Sequence, residues 1–301
     1  MRKIFDWIAS LRIEETIAIL FFVPMIVVTS RAYLYFYMNH DHIPARISGG
    51  LHRIWITVTV FVIFMLIIRA KKNWKFIRDW LPFGFCIAIY TNLHDTIHFV
   101  NKNDIHDILI QIDQWMFGAQ PCVWAQQFIH PVLTDIFIAT YANYFVLVII
   151  VPLSLYIRKS NKEFRYTLLS IILCYYIGYF LFILFPAAPP RLVLKPMFTL
   201  SLHGNLLDPI SHSILSASSS RGAFPSLHCA VSLLALFFAW RYIRWLFYVM
   251  LPFVIMLVIS TVYLRHHYVI DLIAGGVLGL VIFWIGPLLE DFWLNMQKGR
   301  S

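Results

Sequence analysis

Residues 221–230 read Arg-Gly-Ala-Phe-Pro-Ser-Leu-His-Cys-Ala and join a polar loop to an apolar run. A second stretch, Leu-Arg-His-His-Tyr-Val-Ile-Asp at 264–271, follows after two further hydrophobic segments. Two excursions across a bilayer return a chain to the side it left. His228 and His267 therefore face the same water and read as two halves of one active site.

Composition identifies the medium. A chain of 301 residues with 60% hydrophobic and 13% charged residues and a mean hydropathy of +0.74 is an integral membrane protein, not a pair of soluble domains. At about 20 apolar residues per helical span, eight spans are expected: 16–37, 52–69, 79–98, 134–157, 166–185, 224–240, 245–263 and 268–289. The expected fold is all-α, a polytopic helical bundle. Residues 1–78 hold a surface helix over 1–15 and two accessory spans, 79–290 form a six-helix core, and 291–301 are a cytoplasmic tail. A cleavable signal peptide over the first 31 residues is disfavoured, because Glu14 and Glu15 abut the apolar run without a small-residue cleavage site.

Lys and Arg cluster at 69–78, 158–165 and 241–244, and with both termini inside, 16 of the 24 lie on the cytoplasmic side. That orientation puts the two motif loops on the extracytoplasmic face. The net charge of +9 forms no single basic face, so no nucleic-acid partner is expected. The four cysteines have no C-x-x-C spacing, and neither disulfides nor a thiolate metal site are expected. Residues 99–133 form a long outer connection whose apolar patch is a re-entrant or surface helix, because Asp113 and Gln114 are costly in lipid.

Chemistry is concentrated at few positions. His267 and Asp271 are spaced i, i+4, which brings carboxylate and imidazole to one helical face; the pair is either a structural hydrogen bond or an oriented nucleophile. Pro225 suits a first helical turn, and Ser226 either caps that helix or offers its hydroxyl and neighbouring N–H groups to an anion. His228 then either anchors the span or acts beside His267. Arg191, Lys195, Arg221 and Arg265 supply positive charge near these elements; lipid headgroups account for Lys195, whereas Arg191 and Arg221 can clamp phosphate oxygens. Arg265, two residues before His267, points to another face if the segment is helical. His94, Asp95 and His98 form either a metal site or a polar outer end of the third span. The cluster His40, Asp41 and His42 reads as solvated loop.

Together, Phe-Pro-Ala-Ala-Pro-Pro-Arg at 185–191, Gly-Ala-Phe-Pro-Ser-Leu-His at 222–228 and His-His-Tyr-Val-Ile-Asp-Leu-Ile-Ala-Gly at 266–275 resemble the type-2 phosphatidic acid phosphatase superfamily. Asp-Gln-Trp-Met-Phe-Gly-Ala-Gln-Pro at 113–121 is similar to a segment of its inositol phosphorylceramide synthase-like branch. The resemblance implies a lipid substrate, His267 as nucleophile, Asp271 as its orienting carboxylate and His228 as general acid. It also implies phosphoryl binding by Ser226 and Arg191, with no metal and no cofactor. Two departures are plain: of the K-x6-R-P motif only Arg191 is matched, and an Arg six residues before the nucleophile is here Thr261. Arg221 is the candidate for the missing clamp. A phosphotransferase, a phosphatase and a proton-coupled transporter are the competing functions, and polar residues at span ends, not at mid-bilayer, disfavour the last.

Overall fold

The computed structural model describes residues 11–39, 50–69, 74–209 and 221–299. All eight apolar runs are helical: α1 (Ile13–Met38), α2 (Gly50–Arg69), α3 (Lys75–Val100), the pair α6 (Pro131–Ala142) and α7 (Tyr144–Ile157), α8 (Asn161–Leu184), α10 (Leu227–Tyr242), α11 (Arg244–Tyr263) and α12 (Val269–Lys298). Between them lie α4 (His106–Phe117), α5 (Pro121–Trp124) and α9 (Pro190–Val193). Among the described residues there is no strand, only a lone parallel bridge from Ala187 to Gly222. The protein is a helical integral membrane protein. By length and apolar character α8, α11 and α12 each qualify as a span, and α6 with α7 as a fourth if the bent pair crosses once.

The chain forms two compact units, Met1–Lys102 with Asp291–Ser301, and Asn103–Glu290. In the first, the sequence reading of residues 1–15 as one surface helix needs correcting at its end. Ile13 opens α1, and Glu15 accepts the Arg12 N–H at 2.9 Å in a capping arrangement. Glu15 is buried yet paired with Arg78, and Arg12 with Asp79, which explains how acids can abut an apolar run. Residues 1–10 and the cluster at 40–42 lie outside the described residues.

The second unit carries the motif loops. Three boundaries differ from the sequence reading, each for a local reason. The apolar run 134–157 is not one helix: the Asn143 side chain donates to the Ala139 carbonyl at 2.8 Å, competing for a helical acceptor, and the two halves bend by 41°. The sixth run begins at Leu227 instead of 224, because Ser226 is the N-cap and accepts the Cys229 N–H at 3.3 Å; Pro225 precedes the helix. At the other end α12 runs on to Lys298, and at about 1.5 Å per residue it outreaches a hydrocarbon core about 30 Å thick.

Helix α10 is the hub, packed on α7, α8 and α11, with Ala230, Val231, Leu234, Ala235 and Phe238 shielded from solvent. Against it α12 presents Gly275 and Gly279. A Cβ at Gly279 would meet the Ala230 carbonyl oxygen, and one at Gly275 the Ser226 carbonyl. Main chain therefore touches main chain where the two motifs meet, as small-residue pairs permit in membranes. Gly279→Ala should lower the thermal midpoint in detergent, by roughly 1–3 kcal/mol of overpacking. Gly276→Ala, whose Cβ finds Leu233 at an ordinary 3.5 Å, should leave it unchanged; equal midpoints would refute the close-packing account.

Candidate active site

The site is built on the first turn of α12. A helix start leaves four N–H groups without intrahelical partners. Here Asp271 accepts the Tyr268 N–H at 2.9 Å, while Asp113, on α4, accepts those of Val269 and Ile270 at 2.9 and 3.0 Å. Both carboxylates are buried, and a negative group at a helix N-terminus is favoured by the dipole. Burial holds the Asp113 carboxyl above its ordinary range, and the N–H groups of Val269 and Ile270 offset only part of that rise.

The preceding loop is not helical, so Arg265 is directed by a turn and not by helical spacing. With φ of 63° it stands in the left-handed region, its guanidinium lies 3.8 Å from the Phe198 ring centroid, and it donates to the Leu200 carbonyl at 2.7 Å. The Thr261 carbonyl accepts the N–H groups of His266 and His267 at 2.8 and 3.2 Å. These bonds turn both imidazoles inward, and each residue is 5% exposed.

His267 Nδ1 lies 2.9 Å from the Ala223 carbonyl and 3.3 Å from Asp271 Oδ2. Both partners are acceptors when Asp271 is ionised, so Nδ1 carries the proton and Nε2 keeps its lone pair. Burial, and beyond it the Arg191 charge, push the His267 imidazole down to about 3, leaving it neutral at pH 7. Arg191 stands 2.9 Å from His266 Nδ1; because a guanidinium only donates, His266 accepts there. Burial first, then Arg191, hold His266 well below its ordinary range.

His228, on the first turn of α10, brings Nδ1 to 3.4 Å from His267 Nε2. The N–H of Ser226 donates to the Asp271 carbonyl at 3.0 Å, tying the two motifs through main chain. The structure thus gathers His267, His228, Asp271, Ser226 and Arg191. The Arg221 guanidinium lies 3.1 Å from Asp104, and its main-chain carbonyl accepts the Ala187 N–H at 3.1 Å. The side chains of His94, Asp95 and His98 lie outside the described residues, as does His212; His203 is 3.5 Å from Asp208. No group of three or more His, Cys, Asp or Glu side chains is placed to hold a metal ion among the described residues.

Sequence reasoning missed Asp113 as a cap, because that contact joins residues 156 positions apart. His266 was quoted only as part of a motif, and Tyr141 and Tyr144, whose rings flank His228, carried no signal beyond their presence in an apolar run.

A helical membrane protein that brings two histidines, an acid and an arginine together at helix starts has the arrangement that the resemblance to the phosphatidic acid phosphatase type implies. The chain belongs to the PAP2 superfamily, whose profile matches residues 107–285. It is 36% identical over 115 residues to the inositol phosphorylceramide synthase of Candida albicans, a stretch covering 33% of this chain and 24% of that protein. It is 48% identical over 63 residues to the inositol phosphorylceramide synthase catalytic subunit of Saccharomyces cerevisiae, covering 21% of this chain and 16% of that protein. The matched stretches therefore span about a quarter or less of either relative. No solved structure matches.

Two outcomes test this geometry. Asp113→Ala should cost about 1–2 kcal/mol, as loss of a cap does, and Asp113→Asn, which keeps one acceptor, should fall between it and the wild type in thermal midpoint. The second concerns acid. His266 and His267 titrate lower when folded than when unfolded, so below about pH 6.5 the unfolded chain binds more protons and stability falls as pH falls, the His267 part of the loss continuing to about pH 3. The midpoint should drop steeply below pH 6.5, and less steeply in His266→Gln; an unchanged slope would remove His266 from the account.

Proposed function

We propose that the protein is a lipid phosphotransferase acting through a phosphohistidine at His267. The observation that carries this reading is the relay from Asp271 and the Ala223 carbonyl through His267 to His228. It leaves a neutral imidazole with its lone pair on Nε2, beside a second imidazole. In the proposed cycle Nε2 attacks phosphorus, and the bond from phosphorus to the leaving oxygen breaks as His228 gives that oxygen a proton. An incoming alcohol then gives its proton to His228 and takes the phosphoryl or headgroup phosphate from His267. Arg191, the Ser226 hydroxyl and first-turn N–H groups of α10 hold the equatorial oxygens, where charge is spread. Arg221 joins them only if it exchanges Asp104 for phosphate. The chemistry as proposed needs no metal.

The names of both relatives support transfer to an alcohol acceptor on a sphingolipid scaffold over release to water. The Lys and Arg distribution supports a site on the extracytoplasmic face. Eight spans, with a six-helix catalytic core over 79–290, remain part of the proposal.

The test uses detergent-purified protein in EDTA with a short-chain phosphatidate or phosphoinositide carrying a radiolabelled phosphate. Label should reach a supplied diacylglycerol or ceramide acceptor. His267→Ala should abolish turnover, and His228→Ala should slow it by roughly 100-fold to 10,000-fold. Label found only as free phosphate from the phosphatidate, or as inositol phosphate from the phosphoinositide, would make water the acceptor, and full activity in His267→Ala would end the phosphohistidine scheme.

A further inference from the structure

His228 stands between two aromatic rings. The Tyr141 centroid is 4.6 Å from that of His228 with planes 31° apart, and the Tyr144 centroid is 4.6 Å away at 51°. The same Tyr141 ring is stacked on His266, 4.5 Å away and 18° from parallel, and His266 in turn receives Arg191. Tyr144 is held at its far end, its hydroxyl 2.6 Å from that of Tyr175 on α8 and 3.5 Å from the carbonyl of Leu227, the residue before His228. Both rings are buried. The two tyrosines flank Asn143, where α6 ends and α7 begins, so the break in this apolar run sits where the run meets the site.

A free imidazole has three staggered χ1 wells and a broad, two-fold χ2. Proton transfer to a leaving group, by contrast, needs one nitrogen at hydrogen-bond distance along the in-line axis. With the nucleophile about 3 Å from phosphorus and the acid about 3 Å from the leaving oxygen, the two ring nitrogens of a reacting complex stand roughly 6 Å apart or more. They are 3.4 Å apart here. Accommodating a phosphoryl group therefore requires the His228 ring to move away from His267, and the faces of Tyr141 and Tyr144 bound that movement.

We propose that Tyr141 and Tyr144 are positioning residues. They form an aromatic slot that confines the His228 ring as it withdraws from His267, and Tyr141 simultaneously steadies the His266 ring whose Nδ1 receives the Arg191 guanidinium. Neither tyrosine supplies the transferred proton. This inference rests on the phosphohistidine reading for its catalytic consequence but not for its structural content. The groups that face His228 from the surrounding elements are His267 from the loop before α12, Tyr141 from α6 and Tyr144 from α7, with His266 against the Tyr141 ring.

The experiment pairs a spectroscopic readout with kinetics. In protein labelled with nitrogen-15 histidine in detergent micelles, with the His228 ring signals assigned by His228→Gln, wild type should show one tautomer with narrow lines. Tyr141→Leu should broaden or average those signals, Tyr141→Phe should restore them, and Tyr144→Phe, which loses only the hydroxyl tether, should fall between. With the radiolabelled phospholipid that wild type turns over, Tyr141→Leu should lower kcat at least 10-fold with little change in KM, and Tyr141→Phe should recover most of it. The Phe variants keep the test valid if the Leu variant does not fold. His228 signals in Tyr141→Leu identical to wild type would overturn the slot, whatever the activity. Activity retained in His267→Ala would overturn the phosphohistidine reading and leave the slot to be judged on the spectra.

Discussion

Everything at this site depends on how the first turn of α12 satisfies its own N–H groups. Two buried carboxylates divide the work, Asp271 taking Tyr268 and Asp113 taking Val269 and Ile270. That division orients the carboxylate of Asp271, because the oxygen that accepts the Tyr268 N–H is also the one that faces His267 Nδ1. Without Asp113 two buried N–H groups would lack their partner, a loss comparable to a buried hydrogen bond each. Helix α4, too short to cross a bilayer, is thereby tied to the site.

The electrostatic character of the site follows from burial. Three imidazoles and one guanidinium share a small volume, and if all were protonated they would repel one another in a medium that screens little. Burial and the Arg191 charge keep His266 and His267 neutral, so Arg191 is the fixed positive charge beside them. A doubly charged phosphate group entering such a site meets a preorganised cation and hydrogen-bond donors, and its own charge favours protonation of a neighbouring imidazole. In the proposed cycle the substrate thus helps to charge its own acid.

Much of this was legible in the sequence because it is local or periodic. Apolar runs of spanning length mark helices wherever they occur, and the i, i+4 spacing of His267 and Asp271 requires only one helical turn. The meeting of His228 with His267 was legible from topology, since two intervening apolar runs return the chain to one side. Illegible features were of two kinds. The Asn143 break and the start at Leu227 depend on side chains that compete for backbone partners, which hydropathy does not register. The Asp113 cap, the Tyr141 stack on His266 and the pairing of Arg221 with Asp104 are long-range contacts whose residue types have equally good local explanations. Arg221 is instructive: its charge and place next to the motif loop argue for phosphate, and its 3.1 Å pairing with Asp104, far upstream in sequence, is announced by no local pattern.

The glycine contact between α10 and α12 has a mechanical meaning. Ordinary helix pairs meet through layers of side chains that change rotamer under load, so their separation is compliant. Where Gly275 and Gly279 lie on the carbonyls of Ser226 and Ala230, the restoring force comes from main-chain repulsion, which is steep. The scaffold beneath the two histidines is consequently a stiff joint in a protein whose surroundings, a fluid bilayer, are soft. The bases of the two histidines, which stand beside this contact, are thereby held at a fixed spacing.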